Sequence, residues 1–131
     1  MTENGNVTLI GKLNTETYRV VSEQIQTDDV VITDERIRHI KGRHPNDYEK
    51  YAHYMRDIVE NPQYILEANK PNTALLLKQY VEDGEQFQLV LRLSVAGDYP
   101  GYKNSVITFL RISERTWKRY LHNKKILYKS E

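Results

Sequence analysis

The spacing of apolar residues changes near the middle of the chain. Between residues 48 and 59, apolar side chains recur at steps of three and four residues, which is typical of a helix with one buried face. Pro45 suits the first turn of this helix, and Asn61-Pro62 ends it. From Gln63 onward the pattern changes to one that predicts strands. The helical stripe consists of Tyr48, Tyr51, Ala52, Met55, Ile58 and Val59.

Four strands are predicted in close succession. Their sequences are QYILEA, TALLLKQYV, FQLVLRLSV and NSVITFLRI. Residues 70–72 form a turn between the first two, Asp83-Gly84 is a strong hairpin signal, and a longer loop over residues 97–103 precedes the last. Strands joined in this way predict an antiparallel meander.

Two further helices flank this pattern. The segment ITDERIRHIKGRHP, residues 32–45, can be capped by Thr33 or Asp34, and its acidic first turn suits the helix dipole. Ser113 caps the closing helix ERTWKRYLHN, and the tail KKILYK either adds an edge strand or packs across the domain. The predicted fold is therefore α+β: two N-terminal helices, a four-stranded antiparallel sheet and a C-terminal helix. The buried side of the closing helix is expected to be Trp117, Tyr120 and Leu121.

The first 30 residues are harder to place. VTLIGKL and TYRVVS read as short strands or as an arm laid on the domain, and Asp28-Asp29 marks a boundary before the apolar VVI. We therefore expect an N-terminal arm or linker over residues 1–30 and an α+β domain over residues 31–131.

Composition narrows the class of protein. The length of 131 residues suits one domain, and 39% hydrophobic residues are enough for a core. There is no cysteine, which excludes disulfides, thiolate metal sites and a cysteine nucleophile. No secretory signal or membrane span is evident, so a cytoplasmic protein is expected. Net charge is +1, yet residues 111–131 carry seven Lys or Arg against two Glu, which suits a local contact with a polyanion.

The helix over residues 32–45 holds the candidate chemistry. His39 and Arg43 lie four apart and share a helix face, and His44 falls at the helix exit before Pro45, where its ring can turn back towards His39. The alternative interpretation is a surface helix with solvated arginines and one histidine near its C-terminal end.

Strand parity adds polar candidates from the sheet. In FQLVLRLSV, the leucines and Phe87 point towards the helices, so Arg92 projects from the opposite face in mid-strand, where it needs water, a carboxylate or an anion. Lys78 shares a face with Leu76 in the preceding strand. Parity alone does not tell whether Ser105 or Thr108 shares the face of Arg92.

Cleavage of RNA through its 2′-hydroxyl needs residues of these types. Histidine suits the general base and the proton donor, and arginine suits the charge on the phosphorane. His39, His44, Arg43, Arg92 and Lys78 supply them without a metal. The acidic residues are scattered over turns and helix ends, so neither a metal site nor a cofactor is expected.

Several ordered segments resemble a known family, the phage-associated barnase–EndoU–colicin–RelE-like (BECR) nucleases. These segments are ITDERIRHIKGRHPNDYEKY, ENPQYILEANKPNTALLLK, LVLRL, KNSVITFLRI and KKILYK, and they span residues 30–129. The resemblance implies paired helices followed by a four-stranded antiparallel sheet, and a metal-independent ribonuclease or toxin of phage or prophage proteins. It also implies that His39, Arg43 and His44 form the helix part of the site, and that Arg92 with Ser105 or Thr108 forms the sheet part.

The leading hypothesis is thus a metal-independent endoribonuclease. His39, His44, Arg92 and Thr108 are the expected catalytic residues, and substrate is expected to contact Arg43, Lys78, Lys103 and Ser105. RNA is the expected partner, with tRNA, an immunity or antitoxin protein and phage head proteins as further candidates, in the host cytoplasm or in the virion. The alternative is a catalytically silent phage accessory or head-associated binding module, which would show His39 and Arg92 apart or capped by internal carboxylates.

Overall fold

A computed structural model describes residues 6–131, so the first five residues of the expected arm lie outside the described residues. Within this range seven strands form one mixed sheet in the order β1-β2-β6-β5-β4-β3-β7. The strands are β1 Val7–Lys12, β2 Asp29–Thr33, β3 Tyr64–Glu67, β4 Thr73–Tyr80, β5 Glu85–Arg92, β6 Asn104–Ile112 and β7 Ile126–Lys129. The helices are α1 Thr15–Tyr18, α2 Asp34–Arg43, α3 Asp47–Tyr51, α4 Met55–Glu60 and α5 Glu114–Asn123, with a 3-10 turn Ala52–Tyr54 joining α3 to α4.

The predicted meander is confirmed as the centre of this sheet. Strands β3 to β6 are neighbours in chain order and pair antiparallel. The sheet is nevertheless larger than the expected four strands, because β1 and β2 extend it beside β6 and the tail strand β7 extends it beside β3. The pairing of β2 with β6 is parallel, so the sheet is mixed.

Residues 7–30 contribute to this sheet and to the core. VTLIGKL forms β1, which pairs antiparallel with β2. TYRVVS does not form a strand: Asn14 caps the short helix α1 by accepting hydrogen bonds from two backbone amides. Tyr18 then lies fully buried and donates a hydrogen bond to the Val59 carbonyl at 2.7 Å. This hydrogen bond fixes the segment against α4.

The two faces of the sheet have separate cores. The inward leucines of β5 and Phe87 pack under α2, α3 and α4 in the larger core. The opposite face is covered in part by α5, where Trp117 is buried and Tyr120 and Leu121 pack beside it, as predicted. The smaller core consists of Leu66, Leu75, Leu77, Ile112 and Trp117. The part of that face that α5 does not cover borders the grooves described below.

Among the described residues, no helix is long and apolar enough to cross a membrane.

Candidate functional site

Helix α2 forms where the sequence predicts it. The Thr33 hydroxyl accepts a hydrogen bond from the Arg36 amide at 3.2 Å, and Asp34 and Glu35 occupy the first turn. His44 ends the helix with φ −136° and ψ 71°, outside helical geometry, as expected for the residue before Pro45. His44 therefore lies at the C-terminal end of this helix, and His39 lies within it, one turn before Arg43.

The position of α2 beside the sheet determines what its side chains contact. β2 pairs with β6 at only two positions, Val30 with Asn104 and Val31 with Ser105, before the chain turns into α2. The helix then runs next to the remainder of β6, and Ile40 is buried in the larger core. The polar side of α2, with Arg36, His39 and Arg43, therefore borders the sheet face that α5 covers only in part.

Four of the predicted residues meet in one groove. This groove, about 250 Å³ in volume, we call the histidine groove, and it is lined by His39, Ile40, Arg43, His44, Gln88, Thr108 and Leu110. His39 and Arg43 are exposed and His44 is half-buried. Two imidazoles, a guanidinium, a hydroxyl and an amide therefore surround a space open to solvent.

A β-bulge accounts for the presence of Thr108. Val90 lies opposite Thr108 and Leu91 opposite Val106, so Ile107 is an extra residue on β6. Ser105 lies opposite Arg92. Because residues directly opposite each other share a face, both Ser105 and Thr108 lie on the face of Arg92.

Arg92 does not line the histidine groove. Its guanidinium donates to the carbonyl of Leu93 and lies 3.4 Å from the Asp98 carboxylate, with 33% of the side chain exposed. A hydrogen bond from the Val95 amide, and then the charge of Arg92, hold the pKa of Asp98 below its usual range. Arg92 is thus held by the loop that follows β5, and it lines a different groove from His39.

A second groove on the same face contains Arg92. This groove, about 500 Å³ in volume, we call the cationic groove, and its lining shares Gln88 with that of the histidine groove. It is lined by Arg36, Ala68, Asn69, Lys70, Thr73, Leu75, Gln88, Val90, Arg92, Ile107, Tyr120 and Lys124. A larger groove of about 610 Å³ lies between the β4–β5 turn and α5, but it contains none of the predicted site residues.

The structure does not bring Lys78 or Lys103 to either groove. Lys78 lies opposite Phe87, on the face covered by α2, α3 and α4. Its ammonium contacts Asp57 at 2.8 Å and the Asn61 carbonyl at 2.7 Å. Lys103 lies before β6 and contacts Asp29 at 2.8 Å. Both ammonium groups have internal partners, which leaves them poorly placed for a phosphate at His39.

Sequence reasoning missed several residues of the two grooves. Gln88 has the same strand parity as Arg92, and Arg36 shares a helix face with His39, so parity and helical spacing contained a signal for both. Tyr120 and Lys124 had no such signal, because their place depends on how α5 crosses the sheet.

Comparison with known proteins agrees with this architecture. Residues 7–129 match the family model described as phage-Barnase-EndoU-ColicinE5/D-RelE like nuclease 2. The chain therefore belongs to this family of phage-related nucleases, which confirms the resemblance and extends it to residue 7. Searches of curated proteins and of solved structures found no match. Within residues 6–131, no three His, Asp or Glu side chains cluster as metal ligands would.

Proposed function

We propose that this protein is a metal-independent endoribonuclease that cleaves RNA by attack of a 2′-hydroxyl on the adjacent phosphate. The observation that carries the proposal is the meeting of His39, Arg43, His44 and Thr108 in one groove, in a chain that belongs to a nuclease family. A phosphate in this groove would be within reach of two groups that move protons near neutral pH and one that remains cationic.

The two histidines divide the proton transfers. One imidazole, neutral at the start, takes the proton of the 2′-hydroxyl as its oxygen bonds to phosphorus. The other, protonated at the start, gives its proton to the 5′-oxygen as the bond from phosphorus to that oxygen breaks. The products are a 2′,3′-cyclic phosphate and a free 5′-hydroxyl. We assign His39 and His44 to this pair.

The remaining groups of the histidine groove act on charge and orientation. Arg43 stabilises the phosphorane by donating to its oxygens, since a guanidinium binds phosphate with two parallel hydrogen bonds. Thr108 and Gln88 orient the phosphate or the neighbouring ribose from the sheet side. Arg92, which was expected to stabilise the transition state, is better placed to hold a flanking phosphate, because it lines the neighbouring groove.

Cleavage of bacterial RNA in EDTA tests the proposal. We expect the wild-type protein to cleave and His39→Ala to lose activity by about 10²–10⁴-fold, the range for loss of general acid–base catalysis. His122→Ala is the matched control, because His122 is exposed on α5 and lines a different groove. Equal activity of His39→Ala and His122→Ala would overturn the proposal.

A specific observation favours a second candidate, the catalytically silent binding module. Arg92 is paired with the internal carboxylate Asp98, and it lines a different groove from His39. A binding module would hold RNA or a phage protein on the same face without cleaving it. Folded wild-type protein that binds RNA and leaves the RNA of a bacterial host intact, tRNA included, would support this candidate over the nuclease.

Partners and location follow from the nuclease proposal. A phage or prophage ribonuclease would act on RNA in the cytoplasm of the bacterial host, with tRNA as one target, or would travel in the virion with head proteins. An unrestrained ribonuclease is toxic to the cell that makes it, so an immunity or antitoxin protein is a further proposed partner. Growth arrest on expression of wild type, and not of His39→Ala, would support this assignment.

A further inference from the structure

The cationic groove has a one-sided charge. Four of its lining residues are cationic, Arg36, Lys70, Arg92 and Lys124, and none is acidic. Of the four, only Arg92 has an ion pair among the described residues, with Asp98. Arg36, Lys70 and Lys124, which have no ion pair within residues 6–131, attract an anion to this concave surface, and their mutual repulsion is relieved when one binds.

The floor of the groove is apolar. Val90 of β5 and Ile107, the bulge residue of β6, are half-buried, and Val90 pairs with the buried Leu75 of β4; all three line the groove. A free inorganic anion gains nothing from such a floor. A nucleotide gains from both parts, since its base rests on apolar side chains while its phosphate meets the cations.

The lining of the groove also contains polar groups that suit a base edge. Asn69 and Gln88 bring side-chain amides, each of which both donates and accepts hydrogen bonds. Tyr120 also lines the groove, with the Lys124 ammonium 5.5 Å from the centre of its ring. This contact holds Lys124, the residue that follows α5, near the groove.

The cationic groove adjoins the histidine groove. Gln88 belongs to the lining of both, and α2 contributes Arg36 to one and His39, one helical turn later, to the other. A strand whose scissile phosphate lies at His39 would therefore place its neighbouring nucleotides in the cationic groove.

We propose that the cationic groove is a subsite for unpaired nucleotides that flank the scissile phosphate of a single-stranded RNA segment. Arg36, Lys70 and Lys124 bind the phosphates, and the half-buried Val90 and Ile107 of the floor receive a base. This inference rests on the proposed function only for the position of the scissile phosphate at His39. The binding of RNA to the cationic groove does not require cleavage. A duplex is disfavoured, because its bases are paired and do not reach the floor.

Binding of a non-cleavable oligonucleotide tests the subsite apart from catalysis. The probe is a fluorescent 2′-O-methyl RNA of mixed sequence and about six nucleotides, within the site sizes usual for single strands. It has no free 2′-hydroxyl and stays intact. The double variant Arg36→Gln/Lys124→Gln is compared with Arg38→Gln/Arg115→Gln, which removes the same charge from α2 and α5 at residues outside both grooves.

The expected result is a Kd raised at least about tenfold in the groove variant, as for the removal of two charged hydrogen bonds, and raised less than about twofold in the control. The slope of log K against log salt should fall by about 0.7 for each phosphate that the variant no longer binds. Lys70→Gln, at an exposed position, gives a second readout should the double variant fold poorly.

Other outcomes separate the proposals. Equal weakening in both double variants, or none in either, overturns the subsite, whether or not the wild type cleaves RNA. Equal competition by a glutamate peptide of the same length also overturns it, because the groove would then accept any polyanion. Weakening confined to the groove variant, in a protein that cleaves no RNA, supports the subsite and overturns the proposed catalysis.

Discussion

Ser105 and Thr108 lie on the same face of the sheet, although they are three positions apart along β6. In a regular strand they would point to opposite faces. The bulge at Ile107 shifts the register, so Ser105 lies opposite Arg92 and Thr108 opposite Val90. Because of the bulge, Thr108 lines the histidine groove and Ile107 lines the cationic groove.

The first prediction concerns these two hydroxyls. Thr108→Val keeps the shape and the strand preference but removes the hydroxyl, and we expect kcat/KM to fall about 10–100-fold, as for the removal of one hydrogen bond to a charged group. Ser105→Ala is the control, since Ser105 lines neither groove, and it should change kcat/KM by less than about threefold. A larger loss for Ser105→Ala would place the phosphate nearer Arg92.

The second prediction concerns pH. One imidazole of the histidine groove must be neutral and the other protonated, so the cleavage rate should pass through a maximum as pH varies. His44→Ala should remove one limb of this profile and His39→Ala the other, each with a large loss of rate. A wild-type rate that rises with pH and reaches no maximum would contradict the assignment of both histidines.

The third prediction concerns Lys78. The Lys78 ammonium contacts Asp57 and the Asn61 carbonyl on the face covered by α2, α3 and α4. Lys78→Ala should therefore lower the free energy of unfolding by about 1 kcal/mol. Cleavage by the folded variant should be unchanged. Arg43→Ala, in the histidine groove, should show the reverse: ordinary stability by urea unfolding and a large loss of cleavage. Loss of cleavage by a stable Lys78→Ala protein would restore Lys78 to the site.

The fourth prediction concerns acid stability at Asp29. Hydrogen bonds from Lys103 and then Lys12, each at 2.8 Å, lower the pKa of Asp29 to about 2 from its usual 3.8. Because the folded-state pKa is depressed, the stabilisation is complete above the unfolded-state pKa and is lost as pH falls through the folded-state value. The wild type should therefore be more stable than Asp29→Asn at neutral pH, with the difference shrinking below about pH 4.

Urea unfolding of both proteins across this range measures the difference. Lys103→Gln should reproduce part of the effect while leaving RNA cleavage intact, because Lys103 lies outside both grooves. A stability difference between wild type and Asp29→Asn that stays constant down to about pH 2 would contradict the origin proposed for it.

Local signals made α2 and the meander predictable. The cap at Thr33, the break at Pro45 and the alternation along β5 each depend on residues close in sequence. The pairing of β1 with β2 was not predictable in this way, because residues 13–28 intervene and Tyr18 is held by the distant Val59 carbonyl. These are tertiary contacts, which override local strand preference.

The same distinction holds for the site. His39, Arg43 and His44 follow from helical spacing and the helix end. Thr108 depends on a bulge that no residue of the sequence signals. Lys78 was included among the site residues because its parity with Leu76 was not compared with that of Arg92. The part of the site contributed by α5 depends on packing of Trp117 into the smaller core.

The most direct test of the central claim is the chemistry of the products from bacterial RNA incubated with the protein in EDTA. The proposed mechanism predicts fragments that end in 2′,3′-cyclic phosphate and begin with a 5′-hydroxyl, abundant with wild type and His122→Ala and reduced about 10²–10⁴-fold with His39→Ala. Fragments with 5′-phosphate ends, or no cleavage by folded wild-type protein of any RNA including tRNA, would contradict it.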